Sequence, residues 1–93
     1  SFPYVILEGG VFKKPIIASN VGGVKDLVID GETGLLFEPG DVDTLSKHIL
    51  TLIENEKFRE ELGSNLYSRI KKFFTSEKMA DKHMLIYQQI LGR

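Results

Sequence analysis

Two short apolar runs bounded by chain breakers constrain the fold more than any other feature. Pro15-Ile16-Ile17-Ala18-Ser19 is one, and Gly34-Leu35-Leu36-Phe37, closed by Pro39-Gly40, is the other. Neither alternates polar and apolar residues, so each reads as a strand of a parallel sheet covered on its faces, the first as fully buried. Between them lies a loop over Asn20 to Gly23 and a short helix over Val24 to Ile29, ended by Asp30-Gly31. Strand, helix and strand in that order imply a parallel pair joined by a right-handed crossover. Two strands do not make a stable doubly wound sheet. The 93 residues are therefore expected to be a fragment of a larger Rossmann-like domain, with more sequence upstream of Ser1.

Helices flank the sheet segment. A first helix is expected over about Pro3 to Phe12, with Ser1 as its cap and Pro3 where a lost N–H does no harm. Gly9 and Gly10 weaken it by about 1 kcal/mol each relative to alanine, so packing must hold it, and Pro15 stops it. Asp41 caps a helix over about Val42 to Glu54, with Val42, Leu45, Ile49 and Leu52 on one face. Phe58, Leu62, Leu66, Ile70 and Phe73 form the stripe of the next. Thr75 or Ser76 caps a last helix to about Leu91, with two apolar stripes: Ala80, Met84, Tyr87, Leu91 and Met79, His83, Ile86, Ile90. A face that wide must cover two surfaces. The fold class is α/β, ending in three helices.

Charge and composition exclude several functions. A net charge of −1 gives no electrostatic case for nucleic acid or an anionic membrane. The absence of cysteine excludes disulfides and thiolate metal sites. No apolar run approaches the roughly 20 residues of a membrane span, and Phe2 to Leu7 is too short for a signal peptide. His48 and His83 lie on separate helices with no carboxylate at ligand spacing, so no metal site is expected. Asp30-Gly31-Glu32-Thr33-Gly34 opens like a calcium loop, but Leu36 stands at a ligand position, and a turn is expected instead. Gly22-Gly23 reads as a tight strand-to-helix turn, since it lacks G-x-G-x-x-G. Lys13-Lys14 and Lys71-Lys72 read as solvated helix ends.

Glu8 is the candidate functional side chain. It ends an apolar helical turn, and Val11 and Phe12 stand at i+3 and i+4 where a cation would pair with it. Burying a bare carboxylate costs several kcal/mol unless something hydrogen-bonds it. A ligand carrying hydroxyl groups is one partner that fits. In open α/β sheets ligands bind outside the carboxyl ends of the strands, and a helix N-terminus there favours phosphate. The N–H groups of Tyr4 and Val5 lie in the first turn, and Glu8 is about 5 to 6 Å further along the axis. One helix can thus read a nucleoside diphosphate, amides to phosphate and carboxylate to ribose.

The order Phe2-Pro3-x-x-x-x-Glu8, then Lys14-Pro15-Ile16-Ile17-Ala18-Ser19-x-Val21-Gly22-Gly23-x-x-Asp26, then Asp30-Gly31-Glu32-Thr33-Gly34-Leu35-Leu36-Phe37-x-Pro39-Gly40-Asp41, resembles a known family. It looks like the C-terminal part of retaining glycosyltransferases of the GT-B fold that carry an E-x7-E signature. The resemblance covers nearly the whole chain. It implies that Glu8 is the second glutamate of that signature and hydrogen-bonds the donor ribose. It also implies that Phe2, Tyr4 and Val5 face the donor diphosphate and sugar. The first glutamate would fall one position before Ser1. The implied reaction moves a sugar from a nucleotide-diphosphate sugar to an acceptor, with no cofactor or metal. The implied partners are the nucleotide-sugar donor and an N-terminal domain of the same enzyme. The setting would be cytoplasmic, with the intact enzyme able to sit at a membrane. No catalytic residue is assigned within the chain, and the isolated fragment is expected to be inactive. The alternatives are a non-catalytic or regulatory nucleotide-binding module of the same fold and a sugar-nucleotide epimerase. A glutamate before Ser1 and upstream basic residues would favour catalysis over the former, and the Phe-Pro-x-x-x-x-Glu block argues against the latter.

The chain departs from the family pattern in three places. Gly9-Gly10 replaces a common Ala-Met, which would loosen the helix. Lys13 replaces a glycine, so either lysine takes a left-handed turn or Gly10 takes it over. Asp26 replaces a longer glutamate.

Overall fold

The computed structural model describes residues 4–75. The elements are α1 (Tyr4–Val11), β1 (Ile17–Ser19), α2 (Val24–Leu27), β2 (Leu35–Phe37), α3 (Val42–Glu54) and α4 (Glu56–Thr75). The expected last helix, with His83, and the expected cap Ser1 lie outside the described residues.

Helix α1 ends by a backbone reversal before Pro15 is reached. Lys13 N–H donates to the Gly10 carbonyl at 3.0 Å and Lys14 N–H to the Gly9 carbonyl at 2.9 Å. This pair of bonds is a Schellman motif, and its left-handed residue is Lys13, at φ 58°. The turn therefore stays at Lys13 and does not move to Gly10.

β1 and β2 run parallel, with Ile17 opposite Leu35, Ala18 opposite Leu36 and Ser19 opposite Phe37. Leu35 N–H also donates to the Ile16 carbonyl at 2.9 Å, and Asp30 bridges to Gly34. All three residues of β1 are half-buried, not fully buried as the apolar run suggests. Among the described residues β2 is the one strand paired with it, so β1 keeps an unpaired edge.

α2 is shorter than expected. Its last turn gives way at Val28, whose extended backbone (φ −104°, ψ 114°) drops the side chain into the core at 1% exposure. The turn after it is closed by buried Thr33. The Thr33 hydroxyl accepts from Ile29 N–H at 2.7 Å and donates to the Leu27 carbonyl. Asp30 Oδ1 accepts from Leu36 N–H at 2.9 Å. The segment is thus a hydrogen-bonded turn, with Gly31 at φ 81°.

α3 begins at its cap. Asp41 Oδ1 accepts from Thr44 N–H at 3.0 Å, and Asp41 Oδ2 accepts from the Thr44 hydroxyl. The expected stripe is only half right. Leu52 is buried and Leu45 half-buried, but Val42 and Ile49 are exposed, as are Leu50 and Ile53. The inward line runs instead through Leu45, His48 and Leu52, with His48 Nε2 lying 2.8 Å from the Leu36 carbonyl oxygen.

Asn55 links the two long helices. Its Oδ1 accepts from Phe58 N–H at 3.0 Å, which caps α4, and Arg59 donates to the Leu52 and Ile53 carbonyls at the end of α3. Along α4, Leu62, Leu66 and Ile70 are essentially inaccessible, and Phe58 and Phe73 are half-buried. Burying each aliphatic side chain stabilises by about 1.5–3 kcal/mol. Leu66 and Ile70 pack with Ile6, Val11, Leu27 and Val28, and Leu62 packs with Leu35 and Leu52. α4 therefore joins the α1 side of the molecule to the α3 side. The Thr75 hydroxyl donates back to the Lys71 carbonyl at 2.8 Å, and the helix expected to be capped by Thr75 or Ser76 lies outside the described residues. No helix among the described residues is long and apolar enough to cross a membrane.

Candidate functional site

Tyr4, Val5 and Glu8 stand together on α1, while Phe2 lies outside the described residues. The first four N–H groups of a helix have no partner within it, and those of Tyr4 and Val5 are among them. Glu8 follows one turn later, half-buried. It already has an interaction within the protein, so a ligand would share it and would not be its sole partner. A carboxylate presents about four lone-pair positions, and one contact within the protein is compatible with a diol.

α1 is held by close approach. Ile6 and Val11 face the core at 8% exposure each. A side chain at Gly10 would collide with the Ile70 tip and come within 2.9 Å of Leu66 Cγ, and one at Gly9 would lie 2.7 Å from Ile16 Cδ1. The two glycines expected to loosen α1 are thus where its neighbours press closest. A Cβ at Gly63 of α4 would collide with the Lys13 carbonyl oxygen and lie 2.8 Å from its carbon. The Lys13 ammonium stands 5.0 Å from the centre of the Tyr67 ring, a cation–π contact.

Of the clefts among the described residues, two are lined by residues other than Glu8. One, of about 340 Å³, opens beyond the carboxyl ends of β1 and β2 among Asn20, Phe37, Glu38 and Asp41. Asn20 N–H donates to the Phe37 carbonyl at 2.8 Å, while Asn20 Oδ1 is buried without a hydrogen-bond partner among the described residues. Nothing in the sequence singled out Asn20; its one signal is an amide side chain directly after an apolar strand. The Thr44 hydroxyl and N–H at the cleft edge hold the Asp41 carboxyl below its usual range. A larger cleft, of about 490 Å³, is bordered by Thr33, Arg69, Lys71 and Lys72. There Arg69 donates to the Asp26 carbonyl at 2.9 and 3.2 Å. The backbone of Asp26 thus anchors α2 to α4 whatever the length of its side chain. Lys13, Lys14, Lys71 and Lys72 are exposed, as expected. Among the described residues no three His, Cys, Asp or Glu side chains form a group that could hold a metal ion.

Comparison with known proteins gives these positions a context. Residues 1–69 match the family described as glycosyl transferases group 1. The chain is 46% identical over 72 residues to the uncharacterized glycosyltransferase MJ1178 of Methanocaldococcus jannaschii, covering 77% of this chain and 20% of that protein. It is 33% identical over 90 residues to the capsular polysaccharide biosynthesis glycosyltransferase CapM of Staphylococcus aureus, covering 97% of this chain and 24% of that one. Among solved structures, sucrose-phosphate synthase from Thermosynechococcus elongatus superposes with a TM-score of 0.78 at 33% identity, over 98% of this chain and 23% of that one. The chain thus spans a fifth to a quarter of the length of the relatives it matches.

Proposed function

The chain belongs to the glycosyl transferases group 1 family, with a small parallel sheet flanked by helices that matches the GT-B type, and on that premise we propose that it is the C-terminal half of the nucleotide-sugar donor-binding domain of a retaining glycosyltransferase. The whole protein would move a sugar from a nucleotide-diphosphate sugar to an acceptor. The observation that carries this reading is that Tyr4, Val5 and Glu8 lie one turn apart on a single helix, in a stretch the family match includes.

The chemistry follows from what those groups can do. The amides of Tyr4 and Val5, with the positive end of the α1 dipole, stabilise the negative charge that grows on the departing diphosphate. The Glu8 carboxylate accepts from the vicinal hydroxyls of the ribose and fixes the nucleoside in register with that diphosphate. Positioning and electrostatics of this kind need no metal. The acceptor site, the first glutamate of the E-x7-E signature and the basic side chains that share the diphosphate charge belong to the rest of the enzyme.

The test is donor binding by the full-length protein that contains this chain. Titration with UDP and GDP, and with sugars linked to each, identifies the donor class. Glu8→Ala should then weaken donor binding by about 1 to 3 kcal/mol, the range for a lost charge-assisted hydrogen bond. An unchanged dissociation constant overturns the ribose assignment.

A further inference from the structure

We infer that Gly63 on α4 is a positioning residue for the donor-binding helix: through its contact with the Lys13 backbone it sets how far α1 reaches toward the ligand. This rests on the donor-binding reading of α1, and the experiment below separates the two.

Beyond the packing of Ile6 and Val11 on Leu66 and Ile70, three contacts crowd the C-terminal end of α1 and the turn after it against α4. Gly10 lies against Leu66 and Ile70 with no room for a methyl group. The Lys13 ammonium lies over Tyr67. The Lys13 carbonyl stands against the bare backbone of Gly63. The third differs in kind from the first. At Gly10 an added Cβ meets side-chain atoms, the Ile70 tip and Leu66 Cγ, which can give way only in part. At Gly63 it meets a carbonyl oxygen and carbon, and backbone atoms cannot rotate away without moving the chain.

That chain is already committed. Lys13 holds φ 58°, which lysine adopts at a cost, and its N–H and that of Lys14 are bonded to α1 carbonyls. The carbonyl of Lys13 is thus fixed to the end of α1 by the Schellman bonds. Any displacement forced at Gly63 passes to α1 as a rigid body. Glu8 is five residues from Lys13, and the Tyr4 and Val5 amides are one turn beyond it. A binding constellation loses function when it departs by about 0.5 Å from its productive geometry.

The experiment uses the full-length protein and titrates UDP and GDP by calorimetry into the unaltered protein and four variants. Gly63→Ala should raise the dissociation constant of the bound diphosphate about tenfold in a protein that still unfolds cooperatively. In steady-state assays the donor KM should rise while the acceptor KM stays put. Leu52→Ala controls for destabilisation alone, because Leu52 packs with Leu35 and Leu62 and not with α1; it should lower Tm and leave the dissociation constant within twofold. A Gly63→Ala protein that binds as tightly as the unaltered one overturns the inference, as does equal weakening by Leu52→Ala. Should Gly63→Ala fail to fold, Gly10→Ala carries the test: it should weaken binding by about threefold, and unaltered binding overturns the inference. Glu8→Ala tells the two readings apart. Weakening by Glu8→Ala with none by either glycine variant removes the positioning role alone. No effect of Glu8→Ala, or no binding of either diphosphate to the unaltered protein, removes the donor site on which that role rests.

Discussion

The Thr33 hydroxyl donates a 3.0 Å hydrogen bond to the Leu27 carbonyl oxygen and so ties the end of α2 to the start of β2. The same oxygen accepts from Ile29 N–H, and Thr33 is 6% exposed. Thr33→Val keeps the shape and removes both bonds. It should destabilise the protein by about 1–3 kcal/mol, the cost of leaving buried backbone groups unpaired. Thr33→Ser should recover most of that loss. Urea denaturation of the three proteins, followed by circular dichroism, checks both expectations.

Acid should erode α3 through its cap. Thr44 depresses the Asp41 carboxyl below its value in the unfolded chain. A carboxylate lowered in the folded state contributes stability above its unfolded pKa, near 3.9, and that contribution fades as pH falls through the lower folded value. Asp41→Asn retains a capping oxygen without the charge, so this part of the pH dependence should vanish while the helix persists. Asp41→Ala should lower Tm at neutral pH and differ little from the unaltered protein at the acid end. Thermal melts from pH 7 to pH 2 provide the comparison.

Crowding around α1 gives a sign that propensity alone gets wrong. Alanine is favoured over glycine in a helix interior by about 1 kcal/mol. At Gly10 the neighbouring Leu66 and Ile70 side chains leave no space for it. Gly10→Ala should therefore destabilise, by about 1–3 kcal/mol as for other overpacked cores. A rise in Tm for Gly10→Ala would show that the two side chains yield freely.

Turnover should require more than these residues. The isolated 93-residue chain is expected to release no sugar from UDP-glucose or GDP-mannose in the presence of water or a glycan acceptor. Any transfer by the chain alone, measured as free nucleotide, would contradict the division of the site proposed above.

Local physics made much of this fold readable. Asp41 and the breakers Pro39-Gly40 announced α3, whose observed span Val42–Glu54 agrees with the expected one. The stripe from Phe58 to Phe73 identified the inner face of α4 because that helix crosses both apolar clusters. The same spacing misled on α3. Val42 and Ile49 are apolar and in phase with Leu45 and Leu52, yet α3 meets its neighbours along a narrower line through His48. Which of Lys13 and Gly10 reverses the chain was undecidable from sequence, because Gly10 is held inside the helix by Leu66 and Ile70, more than fifty positions away. Gly63 was invisible for the same reason: in sequence it is only a weak helix former. The candidate site divides similarly. Its helical placement followed from the residues, and the ribose role of Glu8, suggested by its spacing from Tyr4 and Val5 and implied by the family resemblance, remains the proposal to test.

The closeness of Gly63 to Lys13 also limits how this region can vary in length. α4 starts at a fixed point, because Asn55 caps it directly after α3. One residue inserted between Asn55 and Gly63 would rotate everything downstream by about 100° and swing a bulky neighbour into the slot that only a hydrogen atom fits. Substitutions on the outer side of that stretch are cheap, but a change in residue count there is not.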